Sequence, residues 1–200
     1  MEAHRLLAGQ LNAVNRHLHD VFDRTEPDEP DHPHEPDAWL RRGAPGTNLP
    51  GFVFWHAARG LDFTVQAGIR GVPEVIEAEP WAAMPWARLG LGVGYSLAEA
   101  DELAVLVDPT EVVAYADAVR SELSQWLRSA SDEVLEAENH VLDNVRTLPA
   151  YNYPDNLKQT TWMQGMPVWV VLSLSAFAHS WSHLDEVELL TRLGRIAGRG

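Results

Sequence analysis

The stretch from Pro167 to Leu193, PVWVVLSLSAFAHSWSHLDEVELLTRL, decides how the rest of the chain is read. It opens on a proline, which suits a first helical turn because the N–H it lacks would be unpaired there anyway, and little that follows breaks a helix. Val168–Ala178 is apolar; only afterwards does the stretch become amphipathic. His179 and His183 stand four residues apart in the pentad His-Ser-Trp-Ser-His. On a helix such a pair projects from one face about one turn, ~6 Å, apart and can grip one metal ion. Leu172, Ala176, His179, His183, Glu186 and Leu190 share one stripe, turning both imidazoles toward the expected core. Buried imidazoles need partners. Nine histidines in 200 residues also yield such pairs by chance, so a structural or solvated pair is the competing reading. Ser180 stands where the zinc-protease signature His-Glu-x-x-His has its glutamate, and that chemistry is not expected.

Outward from this stretch, helical periodicity recurs. Glu2–Arg24 carries Leu7, Leu11, Val14, Leu18, Val21 and Phe22 at helical spacing, with His17 and His19 flanking the stripe and expected at the surface. Residues 26–37, EPDEPDHPHEPD, alternate proline and acid and cannot be helix; His32 and His34 there are weak ligand candidates. A second helix starts near Gly51, with Phe52, His56, Phe63 and Ala67 on one face. For His56 the bland alternative is a core histidine bonded to a carbonyl. Arg59 and Asp62, three apart, can pair with each other. From Gly71 to Pro109 runs a 39-residue connection containing Gly90-Leu-Gly-Val-Gly94, which lacks the strand and Gly-Lys-Ser/Thr of a phosphate loop. Within it Ser96–Leu106 reads as a short helix with Ser96 and Glu99 as a capping box. Pro109–Glu138 predicts a third long helix, and Asn139–Gly165 is irregular. Four long helices of ~20–28 residues with long connections, and no convincing alternating strand pattern, make an all-α four-helix bundle the expected fold, one domain over residues 1–200.

Composition narrows the function. A formal net charge of -14, with no local basic patch, argues against nucleic acid as a partner. The absence of cysteine removes disulfides, zinc-thiolate sites and a cysteine nucleophile together, so any thiol chemistry must take its sulfur from a second substrate. The N-terminus lacks a signal-peptide pattern, and Val168–Ala178 is too short to span a bilayer, so a cytoplasmic protein without membrane partners is expected. Trp81 and Trp86, expected to be exposed in the long connection, could line a substrate cleft or a homodimer contact, or pack under the loop.

Trp55-His56-Ala57-Ala58-Arg59 with Asp62, together with His179-x-x-x-His183 followed by Leu184-Asp185-Glu186-Val187, resembles the DinB/YfiT-like superfamily of metal-binding helical bundles over nearly the whole chain. The resemblance implies His56, His179 and His183 as ligands of one divalent metal, and a small-molecule substrate. One departure stands out: Asp185 occupies a position where the family commonly has a small residue. Three neutral imidazoles with an open fourth position form a catalytic type of site, and they do not distinguish Zn, Ni or Fe. Glu186, about one turn beyond His183, could orient an imidazole or move a proton, or else pair with an arginine such as Arg192. Arg59 and Asp62 are the expected substrate-binding residues. Some members of that superfamily are S-transferases or isomerases using mycothiol or bacillithiol. Fourteen arginines against the single Lys158, a bias of GC-rich coding sequence, favour mycothiol. Other members are metal-dependent hydrolases, and a non-catalytic metal- or ligand-binding stress protein is the remaining alternative.

Overall fold

The structure, a computed structural model, describes residues 3–25 and 38–198. His32, His34 and the acidic proline-rich segment lie outside the described residues. Among the described residues the secondary structure is helical without a named strand.

α1 (Ala3–Thr25) buries Leu7, Leu11, Val14, Leu18 and Val21, a spacing that keeps one apolar stripe on the core side. Each such side chain contributes about 1.5–3 kcal/mol relative to exposure. His17 departs from expectation: it is 8% exposed, stacks on Trp181 at 4.3 Å and bonds Asp185 through Nε2 at 2.9 Å. The neighbouring α-helix covers the flank of the stripe, which a reading of α1 alone leaves to solvent. His19 is half-exposed and meets Asp117 at 3.1 Å.

α2 (Pro50–Phe63) begins with proline in its first turn and is buried almost all round, His56 being partly exposed. A helix apolar on every side belongs at a centre, and α2 packs against both the helix over Pro109–Ser129 and the helix over His179–Ala197. It runs on into a π-helical stretch, Thr64–Arg70, closed by Gly71 at φ 61°. Only a residue without Cβ takes that left-handed conformation cheaply. α3 (Leu97–Leu106) has the capping box read from Ser96 and Glu99.

The helix expected over Pro109–Glu138 is two. α4 (Pro109–Ser129) stops at Ala130, and Ser131 accepts from the Val134 N–H to start α5 (Asp132–Glu136). A serine in extended conformation competes with helix continuation by capping a new turn, and here the cap wins. The segment read as irregular holds α6 (Val141–Thr147) and α7 (Pro154–Thr160), which rest on a second apolar cluster including Phe63, Tyr151, Met163 and Val171. Both are too short to be stable alone and are held by that packing.

α8 (Val168–Val171) leads through π-helical Leu172–Ala178 into α9 (His179–Ala197) without leaving helical backbone. α9 and α4 each pack on α1 and on α2. Trp86 is 0% exposed, and both it and Trp81 meet Tyr115 edge-on, so these tryptophans pack under the long connection. No helix among the described residues is long and apolar enough to cross a membrane.

Candidate metal centre

α2 delivers His56, and the first turns of α9 deliver His179 and His183. The three rings converge: centroids of His179 and His183 lie 4.5 Å apart, His56 is 4.8 Å from His183 and 5.5 Å from His179. One nitrogen from each lies within 4.8 Å of the others, and Nε2 of His179 and of His183 are 3.2 Å apart. Two nitrogens bound at ~2.0–2.1 Å to one tetrahedral ion would be separated by about 3.3 Å. The α9 pair is already at that spacing.

Hydrogen bonds orient two of the rings. His56 Nδ1 sits 2.6 Å from the Leu91 carbonyl oxygen, which can only accept, so Nδ1 carries the proton and the Nε2 lone pair is free. The carbonyl partner that looked like an alternative to ligation is therefore the device that aims the ring. His183 Nδ1 donates to Glu186 Oε2 at 2.9 Å, with the same consequence for its Nε2. The buried Nδ1 of His179 has no hydrogen-bond partner. Burial, with the neighbouring His183, pushes His56 down to about 4, and burial with His183 and His56 pushes His179 down to about 3. These two imidazoles stay neutral at pH 7 with lone pairs exposed to a common point, and neutral imidazole is the form that ligates. The donor set fits a divalent cation.

Chelator-treated protein should accordingly lose stability in acid. In the unfolded chain these histidines take up protons near pH 6.5, whereas the folded chain resists until about pH 4 and 3. Protons therefore favour unfolding in that window: the contribution is complete above about pH 6.5 and disappears as pH falls through the folded values. Urea titrations between pH 7.5 and 4.5 should show it, with a shallower slope in a His56→Gln/His179→Gln variant. Equal slopes would refute the assignment.

The triad lies in the wall of a cleft of about 420 Å³ that also includes Glu186, Phe52, Leu91, Trp162 and Leu174. A larger hollow, about 550 Å³, opens between Arg24, Glu188 and Arg195, away from these histidines. Glycines build the near wall: Gly92 and Gly94 have φ of 75° and 82°, and a Cβ on Gly92 would come 2.7 Å from the Phe52 ring. The glycine alternation is thus a backbone device that brings the Leu91 carbonyl to His56. Its sequence signal was visible; its purpose was not. No known protein family, curated relative or solved structure matches this chain.

Glu186, expected beside His183, is there. Removing it in Glu186→Ala should weaken zinc affinity roughly 10–100-fold, the usual consequence of losing a partner that orients a ligand. Competition against a chromogenic chelator measures this; an unchanged constant would show that Glu186 orients nothing. Asp185 faces away and bonds His17, which accounts for a charged residue at that position.

Arg59 and Asp62 are elsewhere. Both are 0% exposed and neither lines the cleft. Arg59 donates to Asp62 at 3.3 Å, as the spacing allowed, and also to the hydroxyls of Tyr115 at 2.7 Å and Tyr151 at 2.9 Å, with Glu74 at 2.9 Å. Asp62 accepts from the Val75 and Ile76 N–H groups and from Tyr115, and Tyr151 donates to Glu74. The network ties α2 to α4, to the start of the long connection and to the segment after α6. Nothing local in the sequence marked Glu74, Tyr115 or Tyr151 as its members.

Proposed function

We propose that this protein is a divalent-metal-binding four-helix bundle of the DinB/YfiT-like kind, acting as a metal-dependent S-transferase or isomerase on a small molecule with a low-molecular-weight thiol as cosubstrate. The observation that carries the reading is the convergence of His56, His179 and His183 at an open cleft. The bundle reading is supported by the way α1, α2, α4 and α9 pack on one another. A zinc, nickel or iron ion held by the three imidazoles would supply a Lewis-acidic centre that lowers the pKa of a thiol or water bound there.

The protein's own groups have separable tasks. The Leu91 carbonyl and Glu186 fix the His56 and His183 tautomers. Glu186 is the one carboxylate among the described cleft-lining residues, and so the group positioned to take a proton from an incoming ligand. Phe52, Trp162 and Leu174 supply apolar parts of the wall and limit water there. With no cysteine in the chain, the sulfur comes from the cosubstrate. A cysteine-free chain also suits a cytoplasmic location.

Untagged protein analysed for metal, then assayed for conjugation of mycothiol to monochlorobimane, tests the proposal. Turnover in the parent and none in His183→Ala supports thiol transfer. Ester turnover without thiol that falls on chelation would move the assignment to a metal-dependent hydrolase. If neither activity appears and chelation melts the fold, the cation is structural.

A further inference from the structure

Among the described residues that line the cleft there is no lysine and no arginine. Its single formally charged side chain is Glu186, in a chain of net charge -14. Carboxylates and phosphates are normally recognised by guanidinium or ammonium groups, and desolvating an anion without one is costly. A cation at the triad would place its charge at the ligand atom it binds, beside the histidines, and not along the rest of the wall. No described lining side chain is positive there to meet a second anionic group.

The wall is nonetheless polar in places. Thr64 and Ser175 come from the two π-helical stretches, one beside each histidine-bearing helix. Wide helical turns of this kind recur at functional sites because they redirect side chains. Ser175 Oγ is buried and has no hydrogen-bond partner, in a residue 6% exposed on the cleft wall. An orphaned buried hydroxyl is expensive unless something completes it. Asn48 and Gln159 add amides to the wall. Trp162 and Leu174, also in the wall, are 45% and 51% exposed, offering an apolar surface at the cleft.

We propose that the cleft selects ligands that are uncharged away from the atom reaching the histidines, carrying amide or hydroxyl groups that meet Ser175 and the Asn48/Gln159 side chains, and that it rejects ligands bearing a carboxylate or phosphate. The inference rests on the metal and thiol reading above and names the substrate class of that same site. Among thiol cosubstrates it favours a neutral polyol or amide thiol over an anionic one.

Cobalt-loaded full-length protein, titrated with N-acetylcysteine amide and with N-acetylcysteine, isolates one charge on one skeleton, and the sulfur-to-cobalt absorption band reports binding. The amide should bind at least about tenfold more tightly. Equal or tighter binding of the carboxylate would overturn the proposal. A parallel pair without sulfur, the monohydroxamate of succinic acid and its amide counterpart, keeps the two ideas apart. If the thiols fail but the amide hydroxamate wins, the ligand class stands and thiol transfer falls. If no member of either pair binds, the cleft is not a ligand site and the proposal fails. Leu174→Arg, at an exposed wall position, should reverse the preference; an unchanged ratio would remove its electrostatic basis. Ser175→Ala should weaken the amide about fivefold, and unaltered affinity would overturn the role of that hydroxyl.

Discussion

Arg59→Met should destabilise the protein by about 3–5 kcal/mol, the cost of removing one partner from a buried ion pair. Against a usual total of about 5–15 kcal/mol, that is a large fraction. Methionine keeps the apolar stem but leaves Asp62, Glu74 and two tyrosine hydroxyls without the guanidinium they surround. Burial already pushes both carboxyls above their usual range, with Arg59 pulling them back down. Without Arg59 they would take up protons or the packing would open to water. Urea denaturation at pH 7 measures the loss. Adding Asp62→Asn and Glu74→Gln should recover part of it, because neutral partners no longer strand a buried charge. A single variant within 1 kcal/mol of the parent would show that the network contributes little.

His179→Ala should lower zinc affinity by more than the ~10–100-fold associated with losing an outer partner, since it removes a proposed ligand itself. Its Nε2 stands 3.2 Å from that of His183, so the substitution breaks this pair and leaves two imidazoles on different helices. His140→Ala is the control: that histidine is exposed beside Asp143, away from the triad. Competition with a chelator of known affinity reads both variants. Equal affinity in parent and His179→Ala would remove the triad from metal binding.

The two effects test different things because the two clusters do. Arg59 lies one turn after His56 on α2, yet its side chain is enclosed while His56 reaches the cleft. One helix thus carries a structural staple and a proposed metal ligand on adjacent faces. From the sequence these residues formed one motif, Trp55-His56-Ala57-Ala58-Arg59 with Asp62, and were expected to serve one site. Helical spacing says which residues share a face; it does not say whether that face meets protein or an opening.

The same distinction runs through the helices. Helix existence was legible from apolar period, and caps such as Ser96 with Glu99 were legible from residue type, because both are set within about four residues of chain. Ser131 interrupted a run that apolar period alone carried through to Glu138, and α6 and α7 form only because they rest on the second core cluster. The stripe through Leu172, Ala176 and His179 assumed constant pitch. The π-helical stretch at Leu172–Ala178 widens that turn and brings Ser175 to the cleft.

By itself the sequence determined an all-helical chain and two histidines one turn apart on a single face, since both follow from backbone geometry between near neighbours. Only the tertiary structure decided that His56 joins them, that the Leu91 carbonyl aims its ring, that His17 is buried against Trp181, and that Arg59 and Asp62 are sealed from the cleft. Those outcomes depend on how helices far apart in the chain cross and on the path of a 39-residue connection, which are settled by packing all of them at once.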